Sequence, residues 1–320
     1  MKGWAATPSV PGPTLVTADA PARVKPAVRA GAWAQSARQA RHRGSDPYRR
    51  RTPGGPMLGT DFRTGSPNWL DLGSPDTGVA AAFYGAVFGW EFVSAGPEAG
   101  GYGFFRQDGK TVAALGPLTE EGARSAWMHH FMTPDIEATT QAVRAGGGTV
   151  RTEPMDVMGE GRLAQFTDPQ GAEFACWQPG NTAGFEVASA ENTLVWAELH
   201  VPDPVADIAF YAGLFGWRHA EMQVPGMTYR VLSTADGDLA DASFGGVAPL
   251  GEGAGGGDGG DARWVPYFHV SDVDATAARA EESGGTVLMP AADVPDVGRI
   301  GWLADPFGAV FALLRPEPRS

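Results

Sequence analysis

One cysteine, Cys176, stands in 320 residues. A disulfide framework is excluded, and so is a zinc site built on thiolates. Scarce cysteine suits a reducing compartment, and the expectation is a cytoplasmic protein. Runs of 18 apolar residues are missing too, so the sequence offers no membrane-spanning helix. Charge is sparse at 19%, beside 43% hydrophobic residues, the balance of an ordinary globular chain. Positive charge is scarcest in the body of the chain. Of 24 Lys and Arg, ten fall in residues 1–56 against two acids; the other 264 residues carry 14 bases and 35 acids. Such an acidic body repels phosphate backbones, so no nucleic-acid partner is expected.

Residues 1–56 are rich in Ala, Pro, Gly and Arg and show neither strand alternation nor a helical stripe. The apolar core of a secretory signal is also missing there. Two readings stay open: a disordered basic leader, or a start assigned too early, with Met57 opening the chain.

What the rest of the sequence has is a repeat. Trp69, Asp76, Phe83-Tyr84 and Phe88-Gly89-Trp90 return as Trp196, Asp203, Phe210-Tyr211 and Phe215-Gly216-Trp217. Further on, Asp135, Gly147-Gly148-Thr149-Val150, Asp168-Pro169 and Gly171-Ala172 return as Asp272, Gly284-Gly285-Thr286-Val287, Asp305-Pro306 and Gly308-Ala309. The first set is offset by 127 residues and the second by 137; a Gly-rich insertion at 251–260 supplies the difference. Two modules follow, 66–180 and 192–317. Alternation in W-L-D-L-G predicts a strand, and Asp76 and Asp203 suit helix N-caps. The four-residue stripes Val79-Phe83-Val87 and Ala206-Phe210-Leu214 predict the buried helix faces, and Gly89 and Gly216 the helix stops. Each module repeats this order once more within itself. Phe83, Tyr84 and Phe88 read as core packing.

The motifs D-x-x-x-x-x-x-F-Y-x-x-x-F-G-W and D-P-x-G-A, each present twice, resemble the vicinal oxygen chelate superfamily: glyoxalase I, bleomycin-resistance proteins and extradiol dioxygenases. The resemblance covers about residues 66–316 and is nearest to two-module glyoxalase-like proteins of bacteria. It implies an α+β fold: tandem modules of two paired βαβββ units whose curved mixed sheets form a cup. In metal-binding members the ligands lie on cup-facing strands, commonly a His seven residues before the capping Asp and a Glu seven after the Asp of the D-P turn. Here that spacing falls on Trp69, Met128 and Ala175, and on Trp196, Val265 and Ala312. None of these suits a hard divalent cation. No cofactor is therefore expected, and a divalent metal only at a non-standard position.

Alternation along the strands places Asp71, His130, Met132, Glu173 and Trp177 toward the first cup, and Glu198, His200, Tyr267 and His269 toward the second. Asp71 and His130 each lie five residues before a capping Asp, which pairs them as acid/base candidates; the alternative is a structural hydrogen-bonded pair. Parallel pairing of their strands, implied by the resemblance, would set Asp71 and Glu173 on opposite sides of the Trp69 rung. Glu198 shares a rung with Tyr267 in this reading. His200 and His269 then add a possible His-Glu-His group; solvated polar residues near the cup mouth are the alternative. Asp71, His130 and Glu198 are the catalytic candidates. Trp69, Met128, Arg162, Glu173, Trp196, His200, Tyr267, His269 and Arg299 are the ligand-binding ones. Arg162 and Arg299 either clamp an anionic ligand or tie down a strand edge. Asp168 and Asp305 shape turns, Cys176 faces away from the cup, and His129 and His219 are surface or packing residues.

The expected function is small-molecule binding without the family metal. The alternatives are a glyoxalase-like lyase with a relocated acid/base or metal site, and a dioxygenase or hydroxylase acting on a small oxygenated substrate. A small-molecule ligand is the expected partner, with no membrane, for a monomer or a homodimer.

Overall fold

The computed structural model describes residues 58–118, 122–224, 226–236, 242–250 and 261–317. The basic leader and the Gly-rich insertion expected from the sequence lie outside the described residues. Strands β1 (Pro67–Ser74), β2 (Glu91–Ser94), β3 (Gly103–Gln107), β4 (Lys110–Pro117), β5 (Ala126–Met132), β6 (Thr149–Asp156), β7 (Gly161–Thr167) and β8 (Glu173–Pro179) form one sheet. Strands β9 (Leu194–Val201), β10 (Arg218–Val224), β11 (Met227–Ser233), β12 (Ser243–Pro249), β13 (Arg263–His269), β14 (Thr286–Val294), β15 (Gly298–Ala304) and β16 (Val310–Pro316) form a second. Both run in one spatial order, β2-β3-β4-β1-β5-β8-β7-β6 and its repeat. Each sheet is mixed and curled into a cup, so the fold is α+β with two tandem modules, as the repeat predicts.

Among the described residues four α-helices sit behind the sheets: α1 (Thr77–Phe88), α2 (Ile136–Ala145), α3 (Pro204–Phe215) and α4 (Val273–Glu282). Local chemistry fixes their ends. Asp76 accepts from the amides of Gly78 and Val79 at 2.9 and 3.0 Å, and Asp203, Asp135 and Asp272 cap the other three. Gly89 and Gly216 close α1 and α3 at φ 74° and 69°, a backbone region costly for any residue with a Cβ.

The buried helix faces differ from the predicted stripes. In α1 they are Ala80, Phe83, Tyr84, Val87 and Phe88, and Val79 is exposed. In α3 they are Pro204, Asp207, Ile208, Tyr211 and Phe215, while Phe210 and Leu214 are only half-buried. Each helix is pressed between two modules, so its apolar face is wider than one four-residue row. Phe83 and Phe88 of the first module reach Phe311 and Phe268 of the second, at ring separations of 6.2 and 5.0 Å. Reciprocally, Phe210 and Phe215 meet Phe174 and Phe131 at 6.2 and 6.0 Å. The two sheets thus stand back to back around one shared aromatic core.

His129 belongs to that core. It is fully buried beside Trp264, its ring centroid 5.8 Å away. Burial, helped by the neighbouring His130, pushes its titration down to about 3, so it packs as a neutral ring. His219 is exposed. Asp168 and Asp305 do shape their turns: each carboxylate accepts from two backbone amides of its own loop.

Candidate functional site

Register decides which side chains meet in the cups. β1 and β5 run antiparallel, with Trp69 opposite His130 and Asp71 opposite Met128. β5 and β8 run parallel, with His130 beside Ala175, and Gln165 of β7 stands across from Ala175. One cross-strand row of the first cup therefore reads Trp69, His130, Ala175, Gln165. The same row of the second reads Trp196, Tyr267, Ala312, Trp302. This corrects the spacing argument: Met128 and Val265 lie one step off the row, and His130 and Tyr267 occupy it.

Antiparallel pairing also corrects the proposed rungs. Glu198 lies opposite Val265, not Tyr267, so its contact with Tyr267 is diagonal. Two residues on from Glu198 leads to His200, whose opposite is Arg263. Two residues on from Tyr267 leads the other way, to His269. His200 and His269 are thus at opposite ends of the pair of strands, and the His-Glu-His group does not assemble. Glu173 does not meet Asp71 either, though for a different reason from the one expected. Continuing the β5–β8 ladder puts both on the row of Met128, with β5 between them, about 10 Å apart at the usual strand spacing. Glu173 instead pairs with Arg151 at 2.5 Å.

What does assemble is a carboxylate cluster in each cup. Asp71 Oδ1 accepts from the indole Nε1 of Trp69 at 2.8 Å and the hydroxyl of Tyr102 at 2.7 Å. Its Oδ2 stands 3.0 Å from Nε2 of His130. In the second cup Glu198 accepts from Tyr229 and Tyr267, each at 2.6 Å, and its Oε1 is 2.7 Å from Nε2 of His200. Trp196 donates to Tyr229 at 2.9 Å. The opening Trp of each module is therefore a hydrogen-bond donor to the cluster, directly for Trp69 and through a phenol for Trp196.

Burial pushes the Asp71 carboxyl up, but His130 and the donors from His130, Tyr102 and Trp69 outweigh it, and Asp71 titrates below its usual range. Glu198 is also held low against burial, by His200, Tyr229 and Tyr267. Burial and the adjacent carboxylates push Tyr102, Tyr229 and Tyr267 well above the ordinary phenol value. At neutral pH each cluster is an ionised carboxylate held by neutral phenols.

Tyr102 and Tyr229 are the members that sequence reasoning missed. Their signal was present: they stand 127 residues apart, the offset of the first half-repeat. Arg162 and Arg299, for which the sequence offered a ligand clamp or a salt bridge across a strand edge, each meet a carboxylate on a helix. Arg162 pairs with Glu137 of α2, and Arg299 grips Asp274 of α4 at 2.6 and 2.7 Å. Both guanidiniums therefore turn to the helices behind the sheets, and Arg299 also reaches Asp293 of the neighbouring strand at 3.2 Å. Cys176 is fully buried on the face away from the cup, and burial pushes its thiol up.

These residues do not fit the divalent metal that the fold implies. A catalytic ion takes three protein ligands and keeps a position open. Among the described residues no three of His, Cys, Asp and Glu gather. Each cup offers two, and their carboxylates already accept from indole or phenol donors.

Comparison with known proteins places this geometry. A family model described as the Glyoxalase/Bleomycin resistance protein/Dioxygenase superfamily matches residues 66–175 and 193–313. The chain is 35% identical over 268 residues to the "Putative glyoxylase CFP32" of Mycobacterium tuberculosis, covering 82% of this chain and 98% of that protein. It is 38% identical over 274 residues to the "Anthracycline biosynthesis protein DnrV" of Streptomyces peucetius, covering 80% and 94%. Among solved structures, the Mn(II)-bound glyoxalase of Novosphingobium aromaticivorans superposes with a TM-score of 0.53 at 19% identity, covering 79% of this chain and 82% of that one. The 2,2',3-trihydroxybiphenyl 1,2-dioxygenase of Sphingomonas wittichii gives 0.56 at 16%, covering 79% and 91%. At these identities the likeness to the solved structures is one of fold alone.

Proposed function

Because this chain belongs to the glyoxalase/bleomycin resistance protein/dioxygenase superfamily, we propose that it binds a small organic molecule in a cup, and does so without the divalent metal. One observation carries this reading. Where a donor set would converge, the rows hold Trp69, His130, Ala175 and Trp196, Tyr267, Ala312. Beside them stands a carboxylate whose oxygens accept from indole and phenol groups. Such a cup offers aromatic surface and one ionised acceptor, which suits a partly apolar, oxygenated ligand. The names of the relatives, a putative glyoxylase and an anthracycline biosynthesis protein, agree with oxygenated small molecules as the ligand class.

Metal analysis of the natively purified protein tests the reading, together with thermal shifts over a set of oxygenated ligands. The expected result is ligand-dependent stabilisation that survives chelation. A stoichiometric metal, with binding lost on its removal, would overturn it.

A second reading rests on the Asp71–His130 contact. A carboxylate oxygen 3.0 Å from one ring nitrogen can orient an imidazole, the placement an acid/base pair needs. That arrangement suits proton transfer in a lyase of glyoxalase type. Isomerisation of a methylglyoxal–thiol adduct by metal-free protein, lost in His130→Gln, would establish it; inactivity of the metal-free protein would dismiss it.

A further inference from the structure

The two cups share a topology and differ in what fills them. In the second, Val265, Tyr267, Trp302, Ala312 and Leu314 form a buried cluster with Val195, separate from the core between the modules. No matching cluster forms in the first cup among the described residues. The corresponding positions, 137 residues earlier, are Met128, His130, Gln165, Ala175 and Trp177. Met128 is half-buried where Val265 is 0% exposed, and Gln165 is half-buried where Trp302 is 3% exposed.

Trp302 makes the difference. Ala175 and Ala312 leave the same gap in the middle of each row. In the second cup the Trp302 indole crosses that gap, standing edge to face against Tyr267 at 6.0 Å and His200 at 4.9 Å. In the first, Gln165 stands there, its Oε1 accepting from Thr152 at 2.9 Å. The anchoring carboxylates follow suit. The Asp71 side chain is 23% exposed and that of Glu198 11%. Neither ring nitrogen of His130 makes a well-directed hydrogen bond although the ring is almost wholly buried, Nε2 standing only in charge contact with Asp71, which leaves Nδ1 open to a water or a ligand. Nδ1 of His200 also lacks a hydrogen-bond partner, but that ring is packed against Trp302.

We infer that the two modules have divided their roles: the first cup is the ligand site, and the second is closed by its own Trp302. This rests on the binding reading above and says where the ligand goes. An ionised carboxylate only accepts hydrogen bonds. The group that meets Asp71 is therefore a donor, and within the oxygenated class proposed above that means a hydroxyl-bearing small molecule. Trp69, Phe104 and Met128 supply the apolar wall beside it.

Cysteine labelling tests the assignment, because Cys176 is buried and the sequence holds no other thiol. Met128→Cys and Val265→Cys place a thiol at equivalent positions in the two cups. A maleimide is expected to label the first at least tenfold faster. Trp302→Ala, added to Val265→Cys, raises its rate toward that of Met128→Cys. Trp302→Phe serves in its place if circular dichroism shows the alanine variant unfolded. Equal rates in the single variants, or no acceleration on removing Trp302, would sink the division of roles. Catechol is the ligand probe, with 1,2-dimethoxybenzene as the matched compound lacking donors. Slower labelling of Met128→Cys by catechol alone is expected; equal protection by both compounds, or by neither, overturns the hydroxyl assignment. A bound stoichiometric metal would refute the metal-free function and leave the labelling contrast standing, so the two failures are distinguishable.

Discussion

Tyr211 of the second module donates its hydroxyl to Asp168 of the first, 3.1 Å away. The repeat returns the favour: Tyr84 of the first module reaches Asp305 of the second at 3.4 Å. Each phenol also accepts an indole proton at 3.0 Å, from Trp264 and Trp127 respectively. The modules are thus joined by two copies of one buried Trp-Tyr-Asp chain, crossed between them.

Tyr211→Phe removes the middle of one chain, leaving the Trp264 indole without its acceptor and Asp168 Oδ2 without its donor. The expected loss is about 2 kcal/mol, which for a body of this size lowers Tm by roughly 4–8 °C. Thermal unfolding checks this. A change within error would mean that the chain contributes nothing to joining the modules.

Asp207 supplies a pH dependence. It is 1% exposed in the first turn of α3, close to Asp168, Gln170 and Asp203. Burial, then the charge of Asp168, pushes its carboxyl up to about 8. The unfolded carboxyl titrates near 4. Between those values the folded protein holds a proton that the unfolded chain has lost, so stability falls as pH rises from about 4 to 8. Asp207→Asn should flatten that slope and unfold at a higher temperature than the parent at pH 8. Parallel Tm profiles for the two proteins from pH 5 to 8 would refute the assignment.

Arg162→Ala and Arg299→Ala should leave ligand affinity unchanged, because both guanidiniums bind carboxylates of the covering helices at the surface. Exposed ion pairs contribute little, so Tm should also change little. Titration of a ligand found in the thermal-shift screen decides; a tenfold weaker affinity in either variant would restore the ligand-clamp role.

Cys176 should be inert. Its thiol is wholly buried and pushed up by burial, and only the thiolate reacts. A thiol reagent at pH 8 is expected to find no thiol in the native protein and one after denaturation. Rapid reaction of the native protein would contradict the buried placement and would confound the labelling contrast.

Much of the fold was legible because the repeat is redundant. Two fixed offsets, four capping Asp residues and two glycine stops all mark the same elements. The pairing of Asp71 with His130 was legible too, from equal distances to their caps. Strand direction was not. The parallel pairing implied for the first and last strands of the module fails because β5 lies between them, antiparallel to one and parallel to the other. A reversed neighbour sends His200 and His269 to opposite ends and brings Asp71 and Glu173 to the same one. The buried faces of α1 and α3 were misjudged because periodicity describes a helix with one packing partner, and these have two. Tyr102 and Tyr229 were overlooked for lack of a neighbouring motif, although their spacing matched the repeat.

The crossed helices also bear on how the two halves of this chain could change over time. Phe131, Phe174, Phe268 and Phe311 each face aromatic residues supplied by the other half, so a substitution behind one sheet is felt behind both. Among the described residues the concave faces share no such aromatic neighbours. After a duplication, the backs could drift only in step, while each hollow was free to mutate alone. Gln165 and Trp302, which stand at equivalent positions in the two hollows, are a difference of the kind that this asymmetry permits.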